Sequence, residues 1–516
     1  MDAKLIAAAR AAFPPGKGAL TLGAPVKGTE CDPEPLVTIP LAMLNRHGLI
    51  AGATGTGKTK TLQLLAEQIS AAGVPVFLAD LKGDLSGIAV PGESNDRIAQ
   101  RAKDTGYPWK PAGCAVEFLS LTGKRGAQLR ATVSSFGPLL LAKVLGLNDT
   151  QSSVLSLVFK YCDDRKLPLI DFSDLRAVLQ YLSGDGANDL KDYGGMSKAT
   201  VGVLLRDMVE LEQQGAQAFF GEPEFDLNDL MRANDGRGLV SVLELQDVQD
   251  KPAMFSTFMM WMLARLYADL PEVGDADRPK LVFFFDEAHL LFDSASKEFL
   301  TQVEQVVRLI RSKGVGIFFV TQSPKDVPAD ILGQLGHRVQ HALRAFTPDD
   351  ATALKAAART FPKTEFYDVE ATLTSLGIGE ALITVLTPNG VPTPPFATRL
   401  IPPASRMGPL TDAEQSQRLA GSEQVKHYAQ AIDRESAREL LAARMGGDAA
   451  GRGGDVAQVA KDERAAPAPG EIAAGVGGAV ATIGAMLNSP LGRTIAGQVT
   501  RSLLGALVGP PRRRRY

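Results

Sequence analysis

The stretch Gly52-Ala53-Thr54-Gly55-Thr56-Gly57-Lys58-Thr59 is a complete G-x-x-x-x-G-K-[ST] motif, and the rest of the sequence is interpreted around it. Its three glycines allow the backbone to turn so that successive N–H groups point toward one anion. Lys58 is expected to reach the β- and γ-phosphates of a nucleotide, and the Thr59 hydroxyl to bind Mg²⁺. The predicted nucleotide-binding residues are Gly52, Ala53, Thr54, Gly55, Thr56, Gly57, Lys58, Thr59 and Lys60.

The segments that flank this motif indicate that it is a phosphate loop. They argue against the alternative, a glycine-rich turn that matches the motif by accident. Upstream, Leu49-Ile50-Ala51 is typical of a short buried strand. Downstream, apolar residues at helical spacing predict an amphipathic helix, whose N-terminus would add its dipole to phosphate binding. These residues are Leu62, Leu64, Leu65, Ala66 and Ile69.

A second motif begins with the continuous apolar run 281–285, as expected for a central parallel strand buried on both faces. The run ends in Asp286-Glu287-Ala288-His289, at the sheet edge where ligands of open α/β sheets bind. Asp286 is predicted beside the phosphate loop, holding Mg²⁺ through water, while Glu287 polarises a lytic water. Two adjacent acids with separate roles favour hydrolysis over the transfer catalysed by a small-molecule kinase. The alternative interpretation of Asp286-Glu287 is a solvent-exposed turn at the end of a strand, with no role in catalysis.

Two other strand ends carry polar residues. The strand-like run 316–320 ends in Thr321-Gln322-Ser323, where the Gln322 amide could sense the γ-phosphate or simply cap the strand. Asp80-Leu81-Lys82-Gly83-Asp84 follows the strand-like run 76–79. Asp80 could approach the metal and Lys82 a polyanion, or the segment is a turn with a glycine at positive φ. The sequence leaves both interpretations open.

Together these motifs resemble the HerA/FtsK group of P-loop ATPases, and the run 332–347 resembles its bacterial YjgR-type, HerA-like branch. The resemblance extends from about residue 16 to residue 405. It implies an α/β fold with a RecA-like ASCE core, in which helices flank a mainly parallel sheet. It also implies ATP and Mg²⁺ as ligands and a homo-oligomeric, often hexameric, ring that pumps DNA or protein. Catalytic roles then fall on Lys58, Thr59, Asp286, Glu287 and Gln322.

The resemblance further implies an arginine donated across a subunit boundary to stabilise charge on the transferring phosphate. Arg311, Arg338 and Arg344 are the candidates, and Arg344 is preferred because it follows a strand predicted over 339–343. One feature departs from the family. HerA proper carries a β-barrel before its phosphate loop, whereas 51 residues precede Gly52 here. A HerA-type nuclease partner is therefore doubtful, and DNA end resection is not carried over.

Amino-acid composition and the local patterns of apolar and polar residues predict how the chain is organised. With 516 residues, 45% hydrophobic and 22% charged, the chain is long enough for more than one folded unit. Three widely spaced cysteines and no signal-peptide core favour the cytoplasm. The predicted segments are 1–133 (N-terminal segment and first part of the ATPase core), 134–236 (helical insertion), 237–405 (second part of the core), 406–444 (helical segment), 445–470 (flexible linker) and 471–516 (apolar-faced basic tail, low in complexity).

Charge is unevenly distributed and leaves two functions open. The net charge is −3, yet residues 471–516 carry +5, so the remaining residues total −8. The favoured function is a ring motor that translocates on or remodels DNA, with Lys82, Lys143, Lys191, Lys198 and Arg206 as candidate pore contacts. The alternative is a membrane-recruited ATPase that moves or remodels protein, with 471–516 as its docking or oligomerisation element. That alternative would place the protein peripherally at the inner membrane.

Two weaker patterns are predicted to be structural. Trp261 lies in an apolar stripe that favours helix core over a base-stacking platform. His337 and His341 are four residues apart, but the residues around His341 indicate a strand, which argues against a shared metal.

Overall fold

The structure, a computed structural model, describes residues 2–16, 18–274, 276–292, 297–432 and 434–449. The chain divides into two compact units, Met1–Gly446 and Gly447–Tyr516. The segment predicted as a flexible linker lies outside the described residues from 450 onward, as does the basic tail 471–516. No helix among the described residues is long and apolar enough to span a membrane.

Strands are distributed along most of the first unit. They are β1 (Ala19–Lys27), β2 (Glu30–Cys31), β3 (Val37–Pro40), β4 (Gly48–Ala51), β5 (Val76–Asp80), β6 (Val116–Ser120), β7 (Ala127–Gln128), β8 (Ala233–Asn234), β9 (Arg237–Gly238), β10 (Val240–Glu244), β11 (Leu281–Phe285), β12 (Val315–Thr321), β13 (His337–His341), β14 (Glu380–Thr384) and β15 (Phe396–Leu400).

Helices connect these strands and also fill the long segment between β7 and β8. They are α1 (Ala3–Ala12), α2 (Lys58–Ala71), α3 (Asp96–Thr105), α4 (Val133–Val144), α5 (Asp149–Arg165), α6 (Phe172–Ser183), α7 (Lys198–Gln213), α8 (Pro252–Asp269), α9 (His289–Phe292), α10 (Lys297–Ile310), α11 (Ala329–Leu332), α12 (Pro348–Ala358), α13 (Val369–Ser375), α14 (Asp412–Gly421), α15 (Glu423–Ala429) and α16 (Ala437–Ala449).

Side chains at the helix starts account for several of these boundaries. Asn148, Asp171 and Thr411 each accept the N–H of the third helical residue, whose own side chain accepts the N–H of the cap. Such reciprocal capping satisfies backbone donors that the first turn leaves unpaired. In α4, Gly137 has a φ of 75° and Pro138 follows it, so the helix is kinked there.

Within the described residues, one 13-stranded sheet runs β2-β1-β15-β14-β13-β4-β12-β11-β5-β10-β6-β7, with β3 paired to β1. The strands from β13 to β7 in this order are parallel to their neighbours. From β13 to β1, and on to β2 and β3, the pairing is antiparallel. This mainly parallel α/β sheet flanked by helices confirms the predicted fold class.

Each face of the sheet has its own hydrophobic core. Along β11, Phe283 and Phe285 point into a core shared with helices α4 to α8 and α10. Val282 and Phe284 point to the opposite face, into a core shared with α1 and α2. Burial on both faces explains why β11 is apolar at every position, as the sequence predicted.

Some boundaries differ from the predictions. The predicted helical segment 406–444 forms α14, α15 and the start of α16. Helix α16 continues to Ala449, so the first residues of the predicted linker are helical. Ser422 ends α14 and caps α15 in extended backbone, which separates these two helices.

Candidate active site

The phosphate loop, Gly52–Thr59, connects β4 to α2. Gly52, Gly55 and Gly57 have φ values of 154°, 78° and 115°, a region that residues with a side chain rarely adopt. A Cβ on Gly52 would lie 2.5 Å from the Cβ of His341. The backbone path and this close approach together explain the glycines.

Backbone hydrogen bonds from other parts of the sheet hold the loop. The Gly52 N–H donates to the Thr321 carbonyl (3.2 Å) and the Ala53 N–H to the Ala342 carbonyl (2.9 Å). The loop is thereby tied to the ends of β12 and β13, the two strands that flank β4.

Lys58 is the first residue of α2 and is buried. Its Nζ donates to the Ala53 carbonyl at 3.3 Å, inside the curve of the loop. Desolvation lowers the pKa of Lys58, although the negative charges of Glu287 and Asp286 oppose that shift. Among the other predicted contacts, Thr54 and Gly55 are exposed, Thr56 is buried and Thr59 is partly buried. The Lys60 Nζ donates to Gln63 Oε1 at 3.3 Å.

Asp286 directly follows β11, at the same carboxyl edge of the sheet as the phosphate loop. In the sheet, β12 lies between β11 and β4, the strand that precedes the phosphate loop. Two strand spacings, about 10 Å, therefore separate β11 from β4. Strand order depends on long-range pairing, which the local pattern of Asp286 does not contain.

The surroundings of Asp286 fit a cation. Its Oδ1 accepts the Glu287 N–H at 3.0 Å, whereas the buried Oδ2 has no hydrogen-bond partner in the described part of the chain. Burial, reinforced by the charge of Glu287, raises the pKa of Asp286 to about 7. A magnesium ion held between Asp286, Thr59 and nucleotide phosphates would supply the missing partner. No cluster of three or more His, Cys, Asp or Glu able to hold a metal exists among the described residues.

Glu287 adopts an unusual backbone conformation for a residue with a side chain. Its φ is 49°, in the left-handed region, and only 4% of its surface is exposed. Oε1 accepts a hydrogen bond from Lys82, and Oε2 lies 3.3 Å from His289 Nδ1. Burial acts to raise the pKa of Glu287, but the hydrogen bond and charge of Lys82 outweigh it and leave the pKa below its usual value.

The segment after β5 is a turn organised by Asp80. The Asp80 carboxylate accepts the N–H groups of Gly83 (2.7 Å) and Leu85 (2.9 Å), and Gly83 has a φ of 73°. Burial raises the pKa of Asp80 to about 6. Of the two interpretations that the sequence leaves open, the structure contains the turn, with Asp80 occupied by backbone donors. The cation in this turn, Lys82, faces Glu287.

Gln322 follows β12 and is exposed at the point between the phosphate loop and Asp286. The turn around it is set by Asp326, whose Oδ2 accepts the Thr321 hydroxyl (2.7 Å) and the Ser323 N–H (2.9 Å). Both neighbours of Gln322 are thereby fixed while its own side chain faces solvent.

The three candidate arginines lie in different places. Arg344 is exposed at the carboxyl edge, three residues beyond the end of β13, which stops at His341 and not at residue 343 as predicted. Arg338 lies inside β13 and donates to the carbonyls of Leu332 (3.5 Å) and Thr360 (3.4 Å). Arg311 begins a 3-10 turn that precedes β12, at the opposite, amino edge.

The weaker patterns are structural. Trp261 is buried in α8 and packs against Phe219 and Phe258, which confirms the prediction of helix core. His337 Nε2 lies 2.7 Å from the Met43 carbonyl, and His341 Nε2 lies 2.8 Å from the Thr61 hydroxyl. Both imidazoles therefore have protein partners within the fold.

Sequence reasoning missed two features of the site. One is the hydrogen bond between Lys82 and Glu287, since the sequence indicates Lys82 only as a candidate polyanion contact. The other is the loop before β14, whose Gly379 N–H donates to the Thr56 carbonyl. The two residues of each pair are far apart in the chain, and the pairing of β5 with β11 brings Lys82 near Glu287.

The family model for the helicase HerA-like C-terminal region matches residues 27–515. No curated protein matches the sequence. The bacterial conjugative coupling protein TrwBdeltaN70, in its unbound monoclinic form, is 15% identical with a TM-score of 0.48, covering 72% of this chain and 90% of that one. VirB4 of Thermoanaerobacter pseudethanolicus is 14% identical with a TM-score of 0.44, covering 75% and 97%. The plasmid coupling protein TrwB in complex with ADP and Mg²⁺ is 15% identical with a TM-score of 0.48, covering 76% and 99%.

Proposed function

The chain belongs to the helicase HerA-like C-terminal family, and from this membership we propose that it is an ATP-hydrolysing ring motor that translocates on or remodels DNA. The observation that supports the proposal is the common location of Lys58, Asp286 and Glu287 at one edge of the sheet. One cation and two acids with different surroundings are the groups that hydrolysis of a Mg²⁺-bound triphosphate requires.

Each group has a distinct role in this proposal. Lys58 and the backbone N–H groups of the phosphate loop bind the β- and γ-phosphates. Thr59 and Asp286 would hold Mg²⁺, which would supply positive charge against the phosphate oxygens. Glu287 accepts a proton from the attacking water, and Gln322 orients that water or senses the γ-phosphate.

The site is expected to be completed in a ring. Arg344 is exposed at the carboxyl edge, and a neighbouring subunit could receive its guanidinium at the transferring phosphate. Arg338 is engaged within its own subunit, which makes it a weaker candidate. Arg311 remains a candidate if subunits meet through the amino edge of the sheet.

ATP hydrolysis measured with and without double-stranded DNA tests the motor. We expect Mg²⁺-dependent hydrolysis that DNA stimulates, with stimulation that weakens as salt is raised because phosphate contacts release counterions. Hydrolysis without DNA stimulation and without salt-sensitive DNA binding would contradict the DNA assignment. It would favour the membrane-recruited alternative, which cell fractionation of the full chain and of a chain lacking 471–516 would then test. Basal hydrolysis should survive that truncation.

A further inference from the structure

The hydrogen bond between Lys82 and Glu287 joins an accessible cation to a buried acid. The Lys82 side chain is 47% exposed, whereas that of Glu287 is 5% exposed. Lys82 is carried by the turn after β5, and Glu287 follows β11, the strand paired with β5. The pair therefore connects two neighbouring strand ends, and its lysine can be reached from solvent.

In this arrangement Glu287 is poorly placed to activate water. Its Oε1 is occupied by the Lys82 ammonium, and its Oε2 is buried near His289 Nδ1 (3.3 Å) without a hydrogen bond from the described residues, so neither oxygen is open to water in this state. A carboxylate that accepts a proton from water needs an oxygen free to contact that water. Glu287 also has a left-handed backbone conformation, which is strained for a residue with a side chain. Such strain persists only where the surrounding structure holds the residue in place.

Lys82 is also within electrostatic range of the residues that the proposed function places around the nucleotide phosphates. Its charge acts on Lys58 and on Asp286, the two groups that would flank a Mg²⁺-bound triphosphate. Lys58 approaches that space from the phosphate loop, and Lys82 approaches it from the β5 turn. A terminal phosphate has several anionic oxygens and more negative charge than one carboxylate, so it can compete for the lysine.

We propose that Lys82 is a positioning residue that holds Glu287 in the empty and diphosphate-bound states and transfers its hydrogen bond to the terminal phosphate of a bound triphosphate. Glu287 is then released to contact water only when a hydrolysable nucleotide is present. The inference rests on the proposed function, since it assumes that this site binds ATP.

A double-mutant cycle on the full chain tests the exchange without measuring turnover. Lys82→Met, Glu287→Gln and the double variant are compared with the wild type by thermal unfolding. Each is measured in Mg²⁺ alone, with Mg²⁺-ADP, and with Mg²⁺ and a non-hydrolysable ATP analogue. We expect a non-additive change in Tm, which reports coupling of the two residues, in the first two conditions and additive changes with the analogue.

Affinity gives a second measurement. Lys82→Met should weaken binding of the ATP analogue about tenfold, the size expected for one charge-assisted hydrogen bond, and leave ADP binding unchanged. Lys82→Arg should keep both the coupling to Glu287 and the difference in affinity between the ATP analogue and ADP, because it keeps the charge. Lys325→Met is the matched control, since Lys325 is an exposed lysine in the loop after β12 at the same edge.

Three results would overturn the inference. They are coupling that persists with the ATP analogue, additive changes in all three conditions, and equal loss of affinity for both nucleotides. If the wild type binds neither nucleotide, the proposed function fails and this inference fails with it. If the wild type binds and hydrolyses ATP but the coupling between Lys82 and Glu287 is the same in all three nucleotide conditions, only the inference fails.

Discussion

The backbone N–H of Gly379 donates a 3.0 Å hydrogen bond to the carbonyl of Thr56, so the loop before β14 supports the phosphate loop directly. Arg101 of α3 donates in turn to the carbonyls of Ile378 (2.9 Å) and Gly379 (3.1 Å). The conformation of the phosphate loop thus depends on residues that belong to neither of its flanking elements.

Gly379→Ala should weaken nucleotide binding. Gly379 has a φ of 72°, and an added Cβ would lie 3.4 Å from the Arg101 guanidinium. The left-handed backbone alone costs a residue with a Cβ about 1 kcal/mol, and loss of support for Thr56 should add to it. We expect a 3- to 10-fold rise in the Kd of a fluorescent ATP analogue, on the order of 1 kcal/mol. Gly390→Ala is the control, because Gly390 has a similar φ of 75° with open space around it. Equal affinities for the two variants would refute the supporting role.

Glu287→Gln should separate binding from hydrolysis. The amide cannot accept the water proton, so turnover should fall on the order of 10²- to 10⁴-fold. Bound ATP should persist, which filter binding of radiolabelled ATP would detect as a long-lived complex. Lys58→Ala should instead lose the complex itself, because the phosphate-binding cation is gone. An unchanged turnover number for Glu287→Gln would remove this residue from the mechanism.

Arg344→Ala should be rescued in mixed rings. Arg344→Ala subunits have an intact nucleotide site, and Lys58→Ala subunits have an intact arginine. If the arginine acts across the subunit boundary, mixing the two inactive variants should restore part of the ATPase rate. The same mixing with Arg311→Ala and Arg338→Ala ranks the three candidates. If Arg344→Ala alone keeps the wild-type rate, this residue is not the finger.

The His337 imidazole should make stability depend on pH. Its Nε2 lies 2.7 Å from the Met43 carbonyl, and its Nδ1 accepts the Leu386 N–H at 3.4 Å, a pattern that only the neutral ring satisfies. Complete burial lowers its pKa from 6.5 to about 4. Between pH 6.5 and about 4, the His337 imidazole is protonated in the unfolded chain but neutral in the folded protein. The stabilising contribution of His337 is therefore complete above pH 6.5 and is lost toward pH 4, at about 1.4 kcal/mol per pH unit.

The His337→Gln variant isolates this effect, because an amide can keep one donor and one acceptor without titrating near neutrality. Its free energy of unfolding, from urea denaturation between pH 6.5 and 5, should fall less steeply than that of the wild type. Buried carboxyl groups with raised pKa values titrate in both proteins and cancel in the comparison. Parallel pH dependences would show that His337 does not titrate on unfolding.

Local sequence was sufficient to predict the elements that carry the site. The phosphate loop, β11 and the carboxyl-edge position of Asp286 follow from glycine spacing and from an uninterrupted apolar run. These signals are contained within a few residues, so no knowledge of the remaining chain is needed.

The relations between strand ends could not be predicted in the same way. Strand order in the sheet places β12 between β4 and β11. The same order brings Lys82 and Glu287 together. That order results from pairing between distant segments, such as β12 with β4 and β11 with β5, for which a local apolar pattern gives no information. The role of Gly379 is invisible for the same reason, since its partner is in the phosphate loop.

One hydrophobic core links parts of the chain that the sequence divides into separate segments. It contains Phe283 of the sheet, Leu155 and Phe172 of the helices between β7 and β8, and Tyr428 and Leu441 of the C-terminal helices. Helices that share a core with the sheet cannot lose their packing without exposing it. We therefore expect the described part of the chain to unfold as one cooperative transition, with coincident fluorescence and circular dichroism curves. The catalytic edge and the helices distant from it in sequence would then have a single melting temperature.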